Sequence, residues 1–385
     1  MPSRSTLMRT HNRTPYTLVR TDANLDHGDW TDPNEAPAVI APGATVFIES
    51  ESNGLNTGTE GTVRYTSSAG GELYFHWDNP AEGRNSYLQS APAGTGLCFS
   101  DGVGDNAELD LHLILPGRVA VPEFLPSTSG FRFPNHWPNE ALIRVIKMPD
   151  PFGDITLGNA SNGICGGMAY AIADYYNVGE RPPLQTNNPG GIGDPLFDYL
   201  VDRLIDSLNL PDGVLTYYQY MDPAYPDTPR IDAIGRAWVM AHQGFPAVMN
   251  AVDAGRLCPL GLIMIKSLLP TDLGHNHQVL AYAYQLTGSQ ATIWVYDPNS
   301  PEADDVTLSF DLSNASEPIH VQHNVNSDGP VYAFFATNYS PAHPLEGDPS
   351  LRIYGASHQL NFAAGIRARA QGPGGTSVRN WFASG

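Results

Sequence analysis

The chain has 385 residues, 40 acidic against 20 basic, and a formal net charge of −20 at neutral pH. That excess of acid excludes nucleic-acid binding, which needs Lys and Arg to neutralise phosphates, and general attraction to anionic lipid. The length suggests two domains. With 38 Gly, 33 Pro and only 16% charged residues, the composition reads as loop-rich and β-containing rather than coiled coil.

Three cysteines, Cys98, Cys165 and Cys258, make no disulfide framework and show no metal-ligand spacing. Neither a metal nor another cofactor is expected. Residues Met1 to Arg9 lack the apolar segment of a secretory signal. No stretch approaches the roughly 20 apolar residues of a membrane span. The expected location is therefore cytoplasmic, or secreted without such a signal.

From Thr17 the chain reads as short strands cut by turn residues. Ala44–Ile48 follows Pro42-Gly43. Thr62–Tyr65 alternates, Glu72–Trp77 is closed by Asp78-Asn79-Pro80, and Leu109–Ile114 alternates up to Pro116-Gly117. Many short strands at this spacing predict an all-β sandwich over 1–117. Three strings are more specific: Pro42-Gly43 followed by Ser50-Glu51-Ser52-Asn53-Gly54; Thr57-Gly58-Thr59-Glu60-Gly61; and Phe75-His76-Trp77-Asp78-Asn79-Pro80 leading to Gly83-Arg84-Asn85-Ser86-Tyr87. In this order they resemble the aegerolysin family. The resemblance implies a compact β-sandwich that docks on a sphingolipid-containing membrane surface, with Trp30, Glu60, Trp77 and Tyr87 as lipid-contact candidates. Each also has a structural reading: Trp77 and Phe75 as core, Tyr87 as a turn staple.

Residues 118–138 hold Pro122, Pro126, Pro134 and Pro138, which argue against helix and central strand alike. Phe124, Phe131, Phe133 and Trp137 are too apolar for a free linker. The expectation is an extended connector packed across the next domain.

The second domain is expected at 139–344. Asn159 to Gly163 form a polar loop that delivers Cys165 to the start of a helix, with Met168, Ile172 and Tyr175 spaced by four and three. A thiol at a helix N-terminus meets unpaired N–H groups and the positive end of the helix dipole, which favour the nucleophilic thiolate. Asp194-Pro195 caps and opens a second helix with Leu196, Leu200 and Leu204 on one stripe. Pro229–Gln243 and Val248–Arg256 read as further helices. Strands follow at Pro259–Lys266, His277–Tyr284, Thr292–Asp297, Val306–Phe310 and Val331–Phe335. Helices before an antiparallel sheet make an α+β arrangement. The tail, 345–385, carries Arg352, Arg367, Arg369 and Arg379 in an otherwise acidic chain and is left open between docking and disorder.

Neighbouring antiparallel strands can set His277 beside Asp297, and the first helix can aim Cys165 at that imidazole. Nucleophile, base and orienting group then follow in chain order. His275 is an alternative base and Asn299 an alternative orienting group. The constellation resembles papain-like cysteine peptidases, in arrangement closest to the bacteriocin-processing, double-glycine-leader branch, although His277-Gln278-Val279 lacks one spacer residue of that branch's pattern. The resemblance implies an amide side chain ahead of the nucleophile as oxyanion donor: Asn159, six residues before Cys165, or Asn162, three before. The backbone N–H of Cys165 is the second donor. Asn162, Gly166 and Gly167 are the substrate-contact candidates, the glycines leaving room beside the sulfur. The fold class expected is multidomain, an aegerolysin-like sandwich followed by a papain-like α+β domain. The function expected is cysteine-dependent hydrolysis of a peptide or protein, with acyl transfer or deamidation available to the same groups. The alternative is a non-catalytic lipid-binding protein on a pseudo-peptidase scaffold.

Overall fold

The computed structural model describes residues 4–99, 102, 104–137, 144–146, 155–157, 163–230, 233–313, 317–325 and 329–344. The chain is β-rich and built of several sheets. Ten strands make the first part: β1 (Ser5–Asn12), β2 (Leu18–His27), β3 (Asp29–Trp30), β4 (Val39–Ile40), β5 (Thr45–Glu51), β6 (Thr59–Ser67), β7 (Glu72–Asn79), β8 (Ser86–Ser90), β9 (Gly96–Phe99) and β10 (Asn106–Ile114). They form two five-stranded sheets, β3-β5-β1-β10-β9 and β4-β2-β6-β7-β8. Strict alternation on β6 and β7 sends Val63, Tyr65, Leu73, Phe75 and Trp77 into the shared core, where Met8, Ile48, Leu109 and Leu111 meet them. Of these ten strands, the sequence reading names only those that become β5, β6, β7 and β10, and β1 is among those it lacks. Strand β1 lies centrally, antiparallel to β5 and parallel to β10. Its buried residues are largely polar (Thr6, Thr10, His11, Asn12), so no apolar period announces it.

Beyond the sandwich come β11 (Val119–Ala120), α1 (Pro126–Ser129), β12 (Arg144–Ile146), β13 (Ile155–Leu157), α2 (Cys165–Val178), α3 (Pro195–Ser207), α4 (Asp212–Met221), α5 (Gly235–Val239) and α6 (Phe245–Asp253). The remaining strands are β14 (Cys258–Ile263), β15 (His277–Thr287), β16 (Gln290–Tyr296), β17 (Thr307–Asp311), β18 (Gln322–His323) and β19 (Ala333–Ala336). They pair as β18-β17-β16-β15-β14-β19, with β11 added to β15. The five strands expected from sequence are present at shifted ends. The connector does contain a single helical turn and a two-residue strand, and its Phe124, Phe131, Phe133 and Trp137 are buried in the second core.

Two helical expectations change. The helix read over Pro229–Gln243 starts only at Gly235, then passes through a π turn, Met240–Gly244, straight into α6. Buried Arg236 explains the late start. Its guanidinium binds the carbonyls of Tyr220, Asp222 and Tyr225 and the Asp227 carboxylate, which holds the preceding chain as a loop. The second change is α4, rich in aromatic and β-branched residues and without a sequence signal.

Candidate active site

Helix α2 is buried all round, from Gly166 to Tyr176, which is why its apolar periodicity is broad rather than a stripe. It packs on α3 and across β15. The sulfur of Cys165 thus stands where the start of α2 meets the start of β15, and it is half-buried. Met168 N–H is the first to close a bond within the helix, to Ile164 O. The Cys165 N–H belongs to the first turn, which has no intrahelical acceptor.

Asp297 follows the last residue of β16, and Leu280 pairs with Tyr296 across β15 and β16. That register brings the imidazole at the head of β15 to the carboxylate beyond β16. His277 Nε2 donates to Asp297 Oδ1 at 2.7 Å. The other ring nitrogen, Nδ1, is left for Cys165, whose sulfur lies near enough to this imidazole to act on its charge. Burial disfavours a charged imidazole, but the Asp297 carboxylate, the Cys165 sulfur and hydrogen bonds to both hold His277 well above the ordinary histidine value. Burial likewise disfavours an ionised Asp297. The charge and N–H of His277, with donors from His323 and the Asn299 backbone, nonetheless keep it well below the usual carboxylate range. Of the alternatives, His275 stands exposed near Asp272. Asn299 does not take the orienting position; its backbone N–H donates to Asp297 Oδ1 at 2.8 Å.

Two residues at the site had no sequence signal. Asn135, in the connector, accepts from Ile164 N–H at 2.7 Å and from Trp137 Nε1 at 3.1 Å, and donates to Asn299 Oδ1 at 3.1 Å. It ties the residues just before Cys165 to the loop after Asp297. Gly163 beside it has φ +85°, and a Cβ there would lie 2.5 Å from Asn135 Nδ2, so glycine is required on both counts. The second residue is His323, whose Nε2 lies 3.2 Å from Asp297 Oδ2.

The substrate role expected for Gly166 and Gly167 meets a correction. A Cβ on Gly167 would lie 2.0 Å from Leu200 O, and one on Gly166 2.2 Å from Ser207 Oγ. The space they leave is filled by α3. Asn159 and Asn162 lie outside the described residues. Cys258 is buried in apolar surroundings that push its thiol up to about 12.

The lipid-contact candidates do not form one open face. Trp77 is fully buried and donates to Ser50 Oγ at 3.0 Å, so its expected contact role gives way to packing. Trp30 is half-buried with its ring 5.9 Å from that of Trp77. Tyr87 donates to Gly102 O at 2.7 Å and stacks on Phe75. Glu60 lies among His76, at 3.3 Å, and His27, at 3.8 Å.

Among the described residues, two clusters have metal-ligand atoms close together, Asp26–Glu60–His76 and the buried His11–Asp110–His112. In the second, the Arg9 guanidinium sits on Asp110 and Arg13 Nε on His112 Nδ1, so cationic donors already occupy the ligand atoms. Cys165 belongs to neither cluster. Among the described residues no helix is long and apolar enough to cross a membrane.

No family model matches the chain. An uncharacterized protein of Dictyostelium discoideum is 31% identical over 128 residues, which are 33% of this chain and 11% of that protein. The chain therefore spans only a small part of that relative's length. Among solved structures, RahU in complex with a TRIS molecule matches 30% of this chain and 98% of its own, at 17% identity and a TM-score of 0.27. The lipid-binding protein Nakanori matches 29% of this chain and 71% of its own, at 13% identity and a TM-score of 0.26. IP-1A from Alcaligenes faecalis matches 30% of this chain and 93% of its own, at 14% identity and a TM-score of 0.25.

Proposed function

We propose that the chain is a cysteine-dependent hydrolase acting on an amide of a peptide or protein, with the order and roles of a papain-like peptidase. The observation that carries this reading is the buried His277–Asp297 pair, 2.7 Å apart, whose imidazole lies near the Cys165 sulfur at the start of α2. A thiolate attacks the carbonyl carbon. The first-turn N–H groups of α2, that of Cys165 among them, receive the oxyanion. The imidazolium gives its Nδ1 proton to the leaving nitrogen as the C–N bond breaks and a thioester forms. Water, deprotonated by the neutral imidazole, then releases the acid and restores the sulfur. Asp297 fixes the tautomer throughout. A nucleophile other than water would turn the same steps into acyl transfer.

The sandwich is proposed to carry this activity to a surface. A surface-bound full chain should sediment with sphingomyelin–cholesterol vesicles and not with phosphatidylcholine alone; equal recovery in both removes the targeting role. For the chemistry, Cys165→Ala should abolish peptide hydrolysis while the melting temperature stays unchanged. Full activity in that variant rejects the mechanism.

A further inference from the structure

We propose that His323 is a positioning residue of this site, holding the second oxygen of Asp297 so that the first stays in line with His277; the inference rests on the hydrolase reading above. Asp297 Oδ1 is already shared by His277 Nε2 and the Asn299 N–H. Oδ2 faces His323 Nε2 at 3.2 Å, and the His323 side chain is only 5% exposed. Both ring nitrogens of His323, Nδ1 and Nε2, are buried and neither meets hydrogen-bond geometry with a partner among the described residues, while Nε2 has Asp297 Oδ2 at ion-pair distance. A neutral imidazole has one N–H. With a carboxylate 3.2 Å from one nitrogen and, among the described residues, no hydrogen-bond partner at the other, the proton belongs on Nε2, on the side of Asp297.

The mount for this ring is built. His323 lies on β18, opposite Leu308 of β17. The next residue, Asn324, accepts from Thr307 N–H at 2.7 Å and donates to Asp305 O at 2.8 Å, pinning the edge strand. A carboxylate held at both oxygens cannot rotate away from the base. Held at one oxygen, it can. The arrangement extends the triad to a fourth residue that touches neither sulfur nor substrate.

The test uses the full chain and iodoacetamide, reading alkylation of Cys165 by peptide mapping, so no substrate is needed. At about pH 6 an unpaired thiol is almost wholly protonated, so the rate reports thiolate held by imidazolium. His323→Leu is expected to slow alkylation about tenfold. His323→Gln, whose amide N–H reaches the place of Nε2, should restore a rate within about twofold of the parent. In an Asp297→Ala background, His323→Leu should add nothing, because the residue it acts through is gone. Melting curves establish that each variant is folded. If the leucine variant is not, His323→Asn, whose shorter amide cannot reach Oδ2, replaces it. An unchanged rate in His323→Leu, no rescue by glutamine, or a full penalty without Asp297 overturns the proposal. If Cys165 of the parent reacts no faster than in His277→Ala, it is the hydrolase reading that falls.

Discussion

Asp297 is buried with the His277 and Asn299 N–H groups on Oδ1 and His323 Nε2 3.2 Å from Oδ2, and its charge acts on the imidazole beside it. A carboxylate kept ionised in a low-dielectric site stabilises the imidazolium of His277 more than solvent would. The sign follows directly. A histidine raised above its unfolded value, about 6.5, contributes stability in full below that pH and loses it as pH rises through the folded value. The thiolate–imidazolium pair should therefore survive on the alkaline side of about pH 6.5. Replacing Asp297 with Asn should bring the alkaline fall of peptide turnover, which needs the imidazolium as acid, to lower pH and reduce turnover by about 10²–10⁴. An alkaline limb that stays in place would show that Asp297 does not govern the imidazole. Cys165 and Cys258 illustrate the same point by contrast. One is half-exposed at a helix start beside an imidazole; the other is buried among hydrocarbon and pushed up to about 12. Composition counts them alike, and only their surroundings separate them.

At the scale of elements, the close crossing of α2 and α3 sets where Cys165 stands. Gly166 and Gly167 weaken α2 in propensity but let the Leu200 and Leu204 turns of α3 come within contact of its backbone. Gly167→Ala should destabilise the protein by about 2–3 kcal/mol in denaturant titration, because the clashing atom is a backbone carbonyl that cannot rotate aside. An effect confined to KM, with stability unchanged, would return these glycines to the substrate cleft. The partner helix is fastened by its cap: the Asp194 carboxylate accepts from Leu196 N–H at 2.9 Å and Phe197 N–H at 3.4 Å. Asp194→Ala should cost about 1 kcal/mol. The cap was legible because Asp-Pro at a helix start has its own local chemistry. The delayed start of α5 was not, since Arg236 acts on residues 9 to 16 positions upstream.

For the whole molecule, the two parts are joined by buried charge. Asp110 of β10 receives His11 Nε2 at 3.0 Å and Arg9 Nε at 3.0 Å from β1, and His242 from the π turn of the second part. Arg13 spans the same junction to Asp253 at 2.7 Å and Asn250 at 3.0 Å. His112 lies stacked on His11, ring centroids 4.4 Å apart. Burial, with the nearby His11 and Arg13 charges, holds His112 well below the ordinary histidine value. Burial works against the Asp110 charge, but hydrogen bonds from His11 and His242, the His242 charge and Arg9 outweigh it and depress Asp110 far below the usual range. A depressed carboxylate stabilises the fold above its unfolded value, about 3.9, and the contribution is lost as pH falls below that. Acid should thus loosen this junction first. Asp110→Ala, which leaves buried cations uncompensated, should cost about 3–5 kcal/mol and split one calorimetric transition into two. A single unshifted transition would mean that the junction does not couple the parts.

Local chemistry by itself determined the alternating strands β6 and β7, the Asp194 cap, the helix opened by Cys165 and the order of Cys165, His277 and Asp297. Each is encoded by neighbours within a few positions, through side-chain period, capping or turn residues, and two antiparallel strands joined by a short turn bring their ends together almost by necessity. Only the tertiary structure decided that Trp77 is core, that Gly166 and Gly167 serve a helix crossing, that polar β1 lies mid-sheet, and that Asn135 and His323 stand beside Cys165, His277 and Asp297. Those roles depend on atoms 26 to 164 residues away in the chain. Burial and hydrogen-bond partners at such separations are set by how the elements pack, which no local pattern of residues records.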